Sequence, residues 1–158
     1  MEWITRERPK IDRVACPWLI ARFIDPAAVF HFVPAGEVQA RARALGAAPF
    51  DVAGVALSHD GPRCSFDAFL ETYRLTDPAL HLLAGIVRGA DTARLDLAPQ
   101  CAGLLAVSLG LSRLFADDHV MLRHGFVVYD ALYAWARDAR EETHSWNPQR
   151  EPRAGAPM

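Results

Sequence analysis

Three times from Cys64 onward, a helix-opening signal stands directly ahead of an apolar run. Ser65 leads SFDAFLETYRL, the pair Asp77-Pro78 opens the next segment, and Pro99 leads QCAGLLAVSLGLSRLF. Ser and Asp side chains accept from the first unpaired N–H groups of a helix, and Pro at the first helical position forfeits an N–H that has no partner anyway. This punctuation predicts consecutive helices rather than strands. A fourth is expected over much of 118–140, interrupted at Gly125.

Before Cys64 the pattern alternates instead. Residues 2–5 and 28–34 read as strands, and Pro17 marks the start of a helix reaching about Ile24. GEVQARARALG predicts a helix that stops at Gly46, and APFDV and VALSH two short strands around Gly54. The expected fold is α+β, a small N-terminal β/α half packed on a predominantly helical C-terminal half, as one domain over 1–142. Residues 143–158, rich in Pro and Arg and without periodicity, are expected to be disordered.

A chain of 158 residues with 51% hydrophobic and 23% charged residues has enough apolar material for one core. Its net charge of −2 lacks the basic excess of a general nucleic-acid binder. The 13 N-terminal residues are polar, with no secretory apolar core, and the most apolar run, AGLLAVSLGL, is too short to span a bilayer. Three cysteines at wide gaps form neither a disulfide framework nor a CxxC zinc pattern. A cytoplasmic protein with reduced thiols is expected, without membrane association. No GxGxxG, Walker A or GxSxG occurs, so nucleotide binding has no support.

Cys16, read as lying at or near a helix N-cap beside Arg13 and Arg22, is a candidate reactive thiol. Unpaired N–H groups and the helix dipole there favour a thiolate and can dock an anion. The alternative is a small buried cysteine beside Trp18. SHDGPRCSFD repeats the arrangement, with His59, Arg63 and Cys64 crowding a turn into a helix. His59 and Cys64 could share a metal or form a thiolate–imidazolium pair, or His59 could be a solvated turn residue. Cys101, inside an apolar segment, reads as core. Gly89 is expected to close a helix just after Arg88. Asp118 and His119 stand at a predicted helix start, where a carboxylate can be a cap or, with the histidine, a metal or acid/base group. Asp130 lies among apolar neighbours and needs a partner, with Arg88 or Arg113 expected.

Four segments in this order, KIDRVACPWLIARFID, RCSFDAFL, IVRGAD and LFADDHVMLRHGFVVYDALYAW, resemble the chromate-resistance protein family. The likeness runs from about Lys10 to Arg137. In that family the region forms the C-terminal domain of a chromate-responsive regulator and also occurs alone. The resemblance implies a cytosolic domain for chromate resistance or response that binds a small inorganic anion or a metal ion. Arg13, Arg22, Arg63 and Arg88, with two helix N-termini, are the candidate oxyanion-docking groups. His59, Cys64, Asp118 and His119 are the candidate ligands for Zn, Fe or Cr, in a site between the two halves. The alternative is a thiol-dependent oxidoreductase or transferase using Cys16 or Cys64 as the catalytic group. Longer members carry an added N-terminal DNA-binding portion, and this chain begins about ten residues before the matching region. Direct DNA binding is therefore not expected; the oligomeric state is left open.

Overall fold

The computed structural model describes residues 1–144. Three strands, β1 (Glu2–Arg6), β2 (Val29–Val33) and β3 (Ala48–Pro49), form a parallel sheet in the order β2-β1-β3. Six α-helices complete it: α1 (Asp12–Leu19), α2 (Val38–Leu45), α3 (Ser65–Thr72), α4 (Pro78–Asp91), α5 (Cys101–Leu114) and α6 (Asp118–Asp138). The α+β expectation holds, with the sheet in the N-terminal part and the helices dominating the rest.

Alternation along β1 sends its side chains into two cores. Trp3 joins the large one with Phe50, Phe69 and α1, α3, α4 and α6, while Ile4 meets Val38 and Ala42 of α2 in the small one. Both faces of the central strand are covered, as a parallel sheet requires.

Several boundaries differ from expectation, each for a local reason. Helix α1 begins at Asp12, so Pro17 lies inside it and the carbonyl of Arg13 loses its usual N–H partner. The segment Ile20–Ile24 then widens into a π-helix, closed by the Asp25 N–H on the Ile20 carbonyl at 2.7 Å. Cys64, not Ser65, is the N-cap of α3. VALSH forms a run of bends rather than a strand.

Helix α4 runs through Gly89 to Asp91 because α5 crosses it there: a Cβ on Gly89 would lie 2.4 Å from Cys101 Sγ. Helix α6 is unbroken at Gly125, where Val14 of α1 presses in and would stand 2.5 Å from an added Cβ. The two glycines mark close helix crossings, not breaks. Asp77 caps α4 as expected, accepting the Ala79 N–H at 2.8 Å, and Gly46 closes α2 in the left-handed region at φ 63°. Beyond His144 the expected disordered tail lies outside the described residues.

Candidate functional site

Four elements deliver acidic or basic side chains to one point at the carboxyl ends of β1 and β3. Arg6 is the last residue of β1, and Asp51 follows β3 in the left-handed region at φ 47°. Asp12 opens α1, where its charge suits the positive end of the helix dipole. Asp91 closes α4, at the end where a carboxylate is disfavoured. The loop between β3 and α3 adds His59.

The imidazole of His59 sits among three carboxylates. Its Nε2 lies 3.4 Å from Asp12 Oδ2, 3.3 Å from Asp51 Oδ1 and 3.2 Å from Asp91 Oδ2. Asp12 and Asp51 are almost completely buried, at 1% and 4% side-chain exposure, whereas His59 keeps 40%. The centre is a buried acidic floor with one half-open histidine lid.

Each carboxylate is held from below. Asp12 accepts the N–H groups of Ser65 at 2.7 Å and Phe66 at 3.0 Å, so it caps α3 from another helix, and it takes the Cys16 thiol at 3.2 Å. Asp51 accepts the Ser65 hydroxyl at 2.8 Å and Arg6 Nη2 at 2.9 Å, with Arg13 Nε at 3.3 Å. Asp91 faces the backbone N–H of Asp12, which favours its charged form. Ile11, just before α1, is a β-branched residue at φ 40°, and its carbonyl is bonded by the buried Tyr129 hydroxyl at 2.9 Å. Local strain at this turn is thus locked from α6.

Asp12 as hydrogen-bond acceptor, followed by the charges of Asp12, Asp51 and Asp91, raises the His59 pKa from 6.5 to about 9 against the opposing cost of burial. Burial first, then Asp12 and Asp51, raises Asp91 from 3.8 to about 6. With His59 protonated and Arg6 and Arg13 alongside, the three carboxylates are formally neutralised. The site is organised around positive charge.

Among the described residues, Asp12, His59 and Asp91 are the group whose donor atoms all lie within 4.8 Å of one another, close enough to share a metal ion. Ligand bonds of about 2.0–2.3 Å reach that span with small side-chain adjustments.

The candidates named from sequence are distributed differently. His59 is central and Arg13 adjoins it through Asp51. Cys64 lies next to the centre as the cap of α3, its N–H donating to Asp67 Oδ2 at 3.0 Å. Burial, with Asp12 and Asp67 nearby, pushes its thiol pKa up, not down. Cys16 is a mid-helix residue with no exposure, and burial followed by Asp12 pushes its thiol up as well. The helix-entrance argument for a thiolate fails at Cys16 because the helix starts earlier, and at Cys64 because burial outweighs the cap.

Arg88 bonds Asp67 at 2.9 Å, Arg63 pairs with Glu71, and Arg22 grips Asp130 through Nε at 3.0 Å and Nη2 at 2.8 Å. The partner of Asp130 is therefore Arg22, not Arg88 or Arg113. Asp118 accepts the Arg8 N–H at 2.9 Å, and the ring of His119 packs edge-on to Phe32. Neither joins the His59 group.

The family model described as ChrB, C-terminal domain, matches residues 3–136. The chain belongs to the ChrB C-terminal domain family. Protein ChrB of Cupriavidus metallidurans is 35% identical to it over 133 residues, covering 84% of this chain and 40% of that protein. The chain thus spans well under half the length of this ChrB relative. No solved structure matches it. The chromate-resistance resemblance seen in the motifs is thereby established at family level. Among the described residues no helix is long and apolar enough to cross a membrane.

Sequence reading missed Asp12, Asp51 and Asp91 as site residues, although Asp12 and Asp91 stand inside motifs that carry this ChrB likeness. The usable signal was Asp91, a carboxylate placed at the wrong end of an apolar helix.

Proposed function

We propose that this chain is a cytosolic domain of chromate resistance or response that works by holding a metal cation between Asp12, His59 and Asp91. The observation that carries the reading is the shared reach of those donor atoms, within 4.8 Å of one another. Membership of the ChrB family supports the biological setting, and three free, buried cysteines fit a reducing compartment.

The donor set is two carboxylate oxygens and one imidazole nitrogen, which suits Zn, Fe or Cr(III), the cation left when chromate is reduced. An anion is the poorer fit at this point, because three carboxylates face it and Arg6 and Arg13 are already engaged by Asp51. To ligate a cation His59 gives up its proton, and the ion takes over the neutralising role of the imidazolium. Asp51, held by Arg6, Arg13 and Ser65, then orients the histidine from outside the ligand set. Direct DNA recognition has no part in this reading.

The test is metal content. Purified protein incubated separately with Zn(II), Fe(II) and Cr(III), then dialysed, should retain about one ion per chain of at least one of them by elemental analysis. His59→Gln and Asp91→Asn should lose it, while His119→Gln should retain it. A wild-type chain that holds none of the three, or a His59→Gln chain that holds as much as wild type, rejects the centre.

A further inference from the structure

A second cleft, of about 340 Å³, is lined by Arg8, Lys10, Leu109, Ser112 and Arg113. It has the volume of a small-ligand site. Its lining contains three cationic side chains and no carboxylate. The other described clefts each carry an acid: Asp130 in one, Asp60 and Glu71 in the next, and Asp67 and Glu71 in the third.

The three cations are not equivalent. Arg8, at φ 52°, turns its guanidinium onto the carbonyls of Ser112, Phe115 and Ala116, covering the negative end of α5. It also lies 3.6 Å from Asp118 Oδ1, so most of its charge is spent on the fold. Lys10, the chain's one lysine, and Arg113 have no ion-pair partner among the described residues. Arg13, Arg22, Arg63 and Arg88 are by contrast all paired with carboxylates. Two uncompensated cations therefore share one concave surface, over a helix end whose repulsion of anions Arg8 has already offset.

We propose that this cleft binds a tetrahedral oxyanion group of the sulfate or phosphate type, with Lys10 and Arg113 as its charged donors. An ammonium supplies a point charge and a guanidinium a planar fork, and together they can take separate oxygens of one doubly charged group. The cation centre uses none of these side chains, so the two sites stand or fall separately.

The probes are sodium sulfate, as a free oxyanion, and adenosine monophosphate, as a phosphate ester, titrated at constant ionic strength by heteronuclear NMR. Shifts should concentrate at Lys10, Ser112 and Arg113. Lys10→Gln and Arg113→Gln should each weaken binding about tenfold, the scale of one charge-assisted hydrogen bond. Arg43→Gln, at an exposed arginine on α2, should leave it unchanged. All are surface or half-exposed positions, and an unchanged melting temperature confirms that each variant folds. Tighter binding of the nucleotide supports a phosphate ester in the cleft, and equal binding supports a free oxyanion. Absence of binding by both probes, or an Arg43→Gln loss as large as that of Lys10→Gln, overturns the proposal.

Discussion

Asp12 Oδ2 accepts the backbone N–H of Ser65 at 2.7 Å, across 53 residues of sequence, so the first residue of α1 caps α3. The same oxygen lies 3.4 Å from His59 Nε2. One carboxylate thus joins two helices and forms the floor of the candidate site, which ties the site's geometry to the stability of the fold.

Replacing Asp12 by Ala should therefore cost more than an ordinary cap. It leaves the N–H groups of Ser65 and Phe66 buried without acceptors and removes a charge partner of His59. A loss of about 2–4 kcal/mol is expected from the cap and the orphaned donors together. Urea denaturation measures it. A change under about 1 kcal/mol would mean that water or another group replaces the carboxylate.

Stability of the metal-free protein should decline with rising pH in two steps. His59 has its folded pKa raised from 6.5 to about 9, so its contribution is full below 6.5 and lost as pH climbs to about 9. Asp91 is raised from 3.8 to about 6, so the fold favours its protonated form, and that contribution disappears between 3.8 and about 6. Thermal melting with a chelator present, from pH 6.5 to 9, should show a falling Tm for wild type and a flatter curve for His59→Gln. Parallel curves would disprove the role given to His59.

Gly125→Ala should destabilise although alanine is the better helix former, because the new methyl meets Val14 Cγ1 at 2.5 Å. Overpacking of this kind costs about 1–3 kcal/mol. Adding Val14→Ala should recover part of the loss, since it removes the colliding methyl. The double-mutant cycle is the readout, and strict additivity would refute direct contact between α1 and α6 here.

All three cysteines should resist alkylation in the folded protein. Cys16, Cys64 and Cys101 have no exposed surface, and burial raises the first two thiols well above the range in which thiolates form at neutral pH. Mass mapping after timed iodoacetamide treatment should find labelling only as fast as the chain unfolds. Rapid labelling of Cys16 or Cys64 in the native state would instead revive a thiol-based chemistry.

The fold class, the helical second half, the Asp77-Pro78 cap, the Gly46 stop and the family were legible in the sequence. Each rests on local signals: periodicity, caps, left-handed glycine and long irregular motifs survive without knowing what packs where. Gly89 and Gly125 were misread as breaks for the same reason, because a close helix crossing and a helix end use the same residue. Pro17 misled similarly, since its local preference for a first turn yielded to the packing of Trp18 and Leu19 and to the π-helix that follows. Asp12, Asp51 and Asp91 lie up to 79 residues apart, and as isolated carboxylates they look like caps and turn residues. Only the tertiary structure brings them around His59, because burial and charge proximity are properties of a folded chain, not of neighbours in sequence.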